Sequence, residues 1–91
     1  MARLDIATGV TGYMELAAQT GAPDALFELG MLYATGLNVD VDLITAHKWF
    51  NLAAARGNAS AMNYRVELSR EMTTEQISEA QRQAREWLQT H

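Results

Sequence analysis

The sequence predicts an all-α protein built from repeated pairs of antiparallel helices, followed by one further helix. Two observations predict this fold class. A shift of 36 positions aligns the chain with itself, with Gly21 on Gly57 and Ala25 on Ala61, and this period is typical of helical hairpin repeats. Apolar residues also recur at three- and four-residue spacing, as in amphipathic helices. Because 48% of the 91 residues are hydrophobic and 20% are charged, we expect one compact domain.

Each repeated pair consists of a first helix, called helix A, and a second helix, called helix B. The array is predicted to begin with the end of a helix B over residues 13–21, because its Leu16-Ala17-Ala18 aligns with Leu52-Ala53-Ala54 under the same shift. Gly9 and Gly12 each disfavour a helix interior by about 1 kcal/mol relative to alanine. The helix is therefore predicted only from about residue 13 to residue 19.

A complete unit follows over residues 22–57. Its first helix, helix A, is predicted at residues 23–35, because Pro23 suits the first turn and Gly36 suits a left-handed stop. Its helix B begins after Asp42, a candidate N-cap, and ends at Gly57. We expect Trp49 to lie between these two helices.

The last two elements are a partial unit and a terminal helix. A second helix A is predicted from residue 59 to about residue 71, within a partial repeat over residues 58–72, with Ala61, Met62, Val66 and Leu68 as its apolar stripe. Thr73 and Gln76 have the spacing of a capping box, which begins a capping helix over residues 73–91. Its predicted apolar stripe consists of Ile77, Ala80, Ala84, Trp87 and Leu88, and its exposed charge pairs of Glu79, Arg82 and Glu86.

These residues carry a family resemblance. The signature positions are Ala25, Leu29, Gly30, Tyr33, Gly36, Val39, Asp42, Ala46, Trp49, Ala53, Ala54 and Gly57. They resemble the Sel-one-like repeats, which are solenoids related to the tetratricopeptide repeats. The resemblance covers about residues 13–68 and implies a short right-handed α-solenoid that acts as a scaffold or adaptor for other proteins. The resemblance implies that Gly30 lets helix A approach a neighbouring helix closely. The second unit has Arg65-Val66 in place of Leu29-Gly30, so a looser contact is expected there and the array is expected to stop.

The sequence gives little support for catalysis or cofactor binding. The chain has no cysteine, which excludes thiolate catalysis and thiolate metal sites. His47 is interpreted as structural, and Asp40 and Asp42 as helix-capping residues rather than as a metal site. We expect no cofactor, no metal and no enzymatic activity. A net charge of −4 does not favour nucleic acid as a partner, no apolar run suits a membrane span, and a cytoplasmic location is expected.

The predicted function is protein–protein interaction through a groove lined by the A helices. If these helices face inward, as in related solenoids, Phe27 and Met31 form an apolar step. The surrounding candidate residues are Asp24, Asn63, Glu67 and Arg70. Alternatively, the final helix covers Phe27 and Met31. A homodimer formed through an unpaired repeat end is the alternative function, and a small ligand-binding protein or enzyme is a remote one.

Overall fold

A computed structural model of the protein describes Gly12, Leu16 and residues 18–91. Within this part the helices are α1 (Pro23–Thr35), α2 (Leu43–Ala55), α3 (Ala59–Ser69) and α4 (Thr74–Thr90), and there is no strand. Helices α1, α3 and α4 each pack against α2. The prediction of an all-α solenoid is confirmed, whereas residues 13–15 and 17 of the helix expected over residues 13–21 lie outside the described residues.

Helix α1 has the predicted bounds because local chemistry sets both of its ends. Pro23 occupies the first turn. A backbone N–H in that turn has no acceptor within the helix, so proline loses no hydrogen bond there. Gly36 follows the last helical residue with a φ of 76°, and its N–H donates to the carbonyl of Leu32 at 2.9 Å. A left-handed φ of this kind favours glycine, so the predicted stop is confirmed.

Helix α2 also begins where the sequence predicts. The Asp42 side chain accepts hydrogen bonds from the Thr45 N–H at 3.1 Å and from the Thr45 hydroxyl at 2.8 Å, so Asp42 is the N-cap. The helix ends at Ala55, slightly before the predicted end at Gly57. Gly57 and its repeat equivalent Gly21 both have positive φ values, 109° and 78°, as the 36-residue alignment implies.

The core of the complete repeat lies between α1 and α2. Leu26 and Leu29 are fully buried, and Phe50 is 1% exposed. Gly30 faces the Phe50 ring so closely that an added Cβ would lie 2.5 Å from two of its ring carbons. The absence of a side chain at Gly30 therefore lets α1 approach α2, as the resemblance to the repeat family implied.

Helix α3 departs from the predicted pattern. It ends at Ser69 rather than near residue 71, and only Ala61 and Leu68 of its expected apolar stripe are buried. The prediction was wrong for Met62 and Val66, which are 53% and 45% exposed. Their α1 counterparts under the 36-residue shift face α2, but α4 packs against α2 instead of covering this flank of α3.

Helix α4 begins with the predicted capping box. The Thr73 hydroxyl accepts from the Gln76 N–H at 3.1 Å, and the Gln76 side chain accepts from the Thr73 N–H at 2.9 Å. Ala80, Ala84 and Trp87 are buried as expected. Leu88 was expected in the same apolar stripe, but it is 47% exposed at the edge of the face that meets α2.

Trp49 connects α2 with this terminal helix. The side chain is buried, and its ring meets the Trp87 ring edge to face, with centroids 6.2 Å apart. The sequence placed Trp49 between the two helices of the complete repeat, whereas its aromatic partner comes from α4. Aromatic pairs in this geometry add stability beyond the area that they bury, so the contact between Trp49 and Trp87 helps to hold α4 on the repeat.

Candidate protein-binding face

The predicted step around Phe27 lies where α1 meets α3. The Phe27 ring is 5.7 Å from the Phe50 ring and 5.4 Å from the Tyr64 ring, between centroids. The Phe50 and Tyr64 rings stack at 5.6 Å. Phe27 is half-buried, whereas Tyr64 is 45% exposed. These contacts form a three-ring cluster that joins α1, α2 and α3 and remains partly open to solvent.

Met31 lies one helical turn after Phe27. It is half-buried and packs against the main core. The Thr35 hydroxyl donates to the Met31 carbonyl at 2.8 Å, which stabilises the last turn of α1. Phe27 and Met31 are therefore both partly accessible and partly anchored in the fold.

Four exposed polar residues were predicted around this step. The Asp24 carboxylate accepts a hydrogen bond from the Asn58 amide at 3.2 Å, which ties the start of α1 to the start of α3. Asn63 is exposed. Glu67 and Arg70 form an ion pair on the α3 surface, with a 2.9 Å separation. Asn58 was missed by the sequence argument, although it is also the N-cap of α3.

Tyr64 is the second residue that sequence reasoning missed. It lies three residues after the buried Ala61 and four before the buried Leu68, so helical spacing places it beside the stripe that faces the core. This spacing was the available signal. The structure brings Tyr64 and Phe27 together, and we call the surface formed by Phe27, Met31, Tyr64 and their four polar neighbours the A-helix face.

Comparison with known protein families agrees with this architecture. The family model of the Sel1 repeat matches residues 23–58, which comprise α1, α2 and the cap of α3. We call this matched segment the Sel1 repeat. Sel1 repeats generally mediate protein–protein interactions, and the family is typically non-catalytic. Among the curated proteins, none matches the chain. Within the described residues, every helix is too short or too polar to cross a membrane.

His47 lies in the second helix of the Sel1 repeat and is 2% exposed. Its Nε2 is 3.0 Å from the Ser69 Oγ, and the Ser69 hydroxyl donates its hydrogen to the Arg65 carbonyl at 2.8 Å. Nε2 must therefore carry the proton and donate to Ser69. Burial, followed by the nearby Arg65 charge, lowers the pKa of His47 below its usual 6.5. His47 is thus a neutral residue that links the Sel1 repeat to α3, in line with the structural interpretation.

The lowered pKa of His47 predicts a pH-dependent stability. The unfolded chain binds a proton at His47 more readily than the folded chain, so the free energy of unfolding falls as the pH drops through 6.5. We expect the melting temperature to decrease between about pH 7.5 and about pH 5.5. Thermal melts followed by circular dichroism measure this. His47→Gln should flatten the profile in this window, and an unchanged slope in that variant would assign the effect to other groups.

The other charged residues that the sequence singled out lie before or at the start of α2 and along α4. Asp42 caps α2 of the Sel1 repeat, as predicted, and Asp40 is exposed. In the part of the chain that the structure describes, no group of three or more potential metal-ligating residues comes together. On α4, hydrogen bonds from Arg82 are the main reason why the pKa of Glu79 falls to about 2. Because this pair is solvent-exposed, it contributes little to stability.

Proposed function

We propose that the chain is a non-catalytic interaction module that binds another protein on the A-helix face. The observation that carries this proposal is the partly open cluster of Phe27, Phe50 and Tyr64 at the junction of α1 and α3. A partner that covers Tyr64 would bury apolar surface next to a rigid core. The general role of Sel1 repeats in protein–protein interaction supports the same assignment.

The polar surroundings of the cluster suit an interface. Binding energy usually concentrates in a few apolar anchors, and polar residues around them exclude water. Here Phe27, Met31 and Tyr64 would be the anchors, since each is partly exposed. The rim would consist of Asp24, Asn63, Glu67 and Arg70.

Site-specific photo-crosslinking tests this function without disturbing the core. A photo-reactive amino acid at Asn63, which is exposed on α3, should crosslink the partner in cells. The matched control places it at Gln89, which is exposed on α4. Equal crosslinking from both positions would contradict an interaction at the A-helix face.

A second measurement then uses the purified partner identified by crosslinking. Met31→Ser should clearly weaken binding but lower the melting temperature only slightly, because Met31 is only half-buried. Phe27→Ser is a poorer test, since its ring supports the buried Phe50. We therefore expect this substitution to affect folding as well as binding. Unchanged affinity in Met31→Ser would remove Met31 from the interface.

Self-association is the second candidate function. Leu37 and Val41, in the loop between α1 and α2, are 61% and 55% exposed, and exposed apolar surface favours association. Sedimentation velocity of the purified chain over a range of concentrations distinguishes the candidates. A concentration-dependent dimer that is lost in Leu37→Gln/Val41→Gln would favour self-association.

A further inference from the structure

A second surface lies on the flank of α3 that faces away from α1. Two hydrogen bonds join α3 to α2 along the inner edge of this flank. One joins Arg65 Nη1 to Asn51 Oδ1 at 2.8 Å, and the other is the bond between His47 and Ser69. Met62 precedes Arg65 by three residues and Val66 precedes Ser69 by three, so helical geometry places both beside this flank.

Helix α4 forms the opposite wall of this surface. A depression between α2 and α4 is lined by Asn51, Leu52, Ala55, Gln81, Ala84, Arg85 and Leu88. Asn51 belongs to this lining and also binds Arg65 of α3, so the depression borders the exposed flank of α3. We call this surface the α3–α4 groove, formed by Asn51, Ala55, Met62, Val66, Arg85 and Leu88.

The repeat alignment shows which kind of partner the groove fits. Met62 and Val66 align with Leu26 and Gly30 under the 36-residue shift, and in α1 those two positions are buried beneath a helix, α2. In α3 the same positions are 53% and 45% exposed. The groove therefore presents a face that packs against a helix in α1 but that no described helix covers in α3. A helix is the occupant with the matching geometry.

Val66 limits the size of the residue that the incoming helix can place against it. Phe50 of α2 packs against α1 only because Gly30 has no side chain. Val66 fills the corresponding space in α3, so an incoming helix needs a small residue at that contact. Leu88, which is 47% exposed, adds apolar surface on the α4 side.

The charges around the groove indicate the chemistry of the partner. In the described part of the chain, the ion pairs join Arg70 and Arg82 to glutamates. None of them includes Arg65, which binds the neutral Asn51 amide, or Arg85 on the groove wall. We propose that the α3–α4 groove binds an amphipathic helix of another protein that carries carboxylates beside its apolar stripe.

A stapled helical peptide provides the probe. It carries leucines at the three- and four-residue spacing of one apolar face, an alanine at the centre of that face and glutamates along its edge. A matched peptide has lysines in place of the glutamates. We expect the purified full chain to bind the acidic peptide about tenfold or more tightly than the basic one, as measured by fluorescence anisotropy.

Three variants test the location. Met62→Gln/Val66→Gln should weaken acidic-peptide binding about tenfold while the melting temperature stays close to that of the natural chain, because both residues are exposed. Arg85→Glu should reduce the preference for the acidic peptide. The control, Leu37→Gln in an exposed loop, should bind as the natural chain does.

Several outcomes overturn the proposal. Equal affinity for both peptides would reject charge recognition, and full binding by Met62→Gln/Val66→Gln would place the site elsewhere. The absence of binding by the natural chain would reject a helix of this chemistry. If sedimentation instead shows a dimer that the double variant dissociates, the occupant is a second copy of the chain. A negative result in these experiments would not contradict binding at the A-helix face, because none of the variants alters that face.

Discussion

Replacing Trp49 with alanine is expected to lower the free energy of unfolding by about 3 to 5 kcal/mol, the usual effect of removing a large buried aromatic residue. Trp49 is 6% exposed and packs on Trp87, and the Lys48 Nζ lies 4.3 Å from its ring centroid. Since small domains have about 5 to 15 kcal/mol in total, Trp49→Ala should unfold or nearly unfold the chain. Thermal and denaturant melts followed by circular dichroism measure the loss.

Two controls separate this effect from a general sensitivity to substitution. Within the described residues the buried Trp49 Nε1 has no hydrogen-bond partner, so Trp49→Phe loses ring volume but none of the described hydrogen bonds and should cost less than Trp49→Ala. Leu88→Ala, at an exposed position of α4, should cost least. A Trp49→Ala variant that melts within a few degrees of the natural chain would contradict the central role of Trp49.

Deleting residues 74–91 is the second change with a large expected effect. Helix α4 packs against α2. The deletion would therefore expose Trp49 and Leu52, which are 6% and 1% exposed in the intact chain. Exposed apolar faces promote association, so the shortened chain should aggregate, as sedimentation velocity and light scattering would show.

A point variant tests the same contact in the full-length chain. Ala84 is 2% exposed on the buried side of α4, and Ala84→Asp would place an unpaired carboxylate in that contact. Its neighbour Gln81 is exposed, so Gln81→Asp is the matched control. A monomeric 1–73 chain that keeps its helices, together with a stable Ala84→Asp variant, would show that α4 is an independent arm rather than a cap.

Both ends of α1 and the starts of α2 and α4 were predictable because they depend on short-range chemistry. Pro23 and Gly36 set the ends of α1, Asp42 caps α2, and Thr73 with Gln76 starts α4. Each of these signals acts through a backbone angle or through a hydrogen bond within a few residues. The family resemblance likewise implied the close approach of two helices at Gly30.

The neighbours of each apolar residue were less predictable. Met62 and Val66 have the spacing of a buried stripe, yet both are exposed. Periodicity identifies residues that share one face of a helix, but it does not show whether another helix packs there. The same reason explains why Leu88 is exposed and why the partner of Trp49 comes from α4.

For the candidate site, the sequence identified Phe27 and Met31, and the family resemblance placed them on the A-helix face. Tyr64 entered only with the structure, since its contact with Phe27 at 5.4 Å joins residues that are far apart in the chain. The sequence alone thus determined both ends of α1, the starts of α2 and α4, and the match to the Sel1 repeat over residues 23–58, because these depend on local residues and their spacing. The tertiary structure decided that α4 packs on α2 and leaves a flank of α3 open, because that choice depends on how distant surfaces compete for the same apolar contacts.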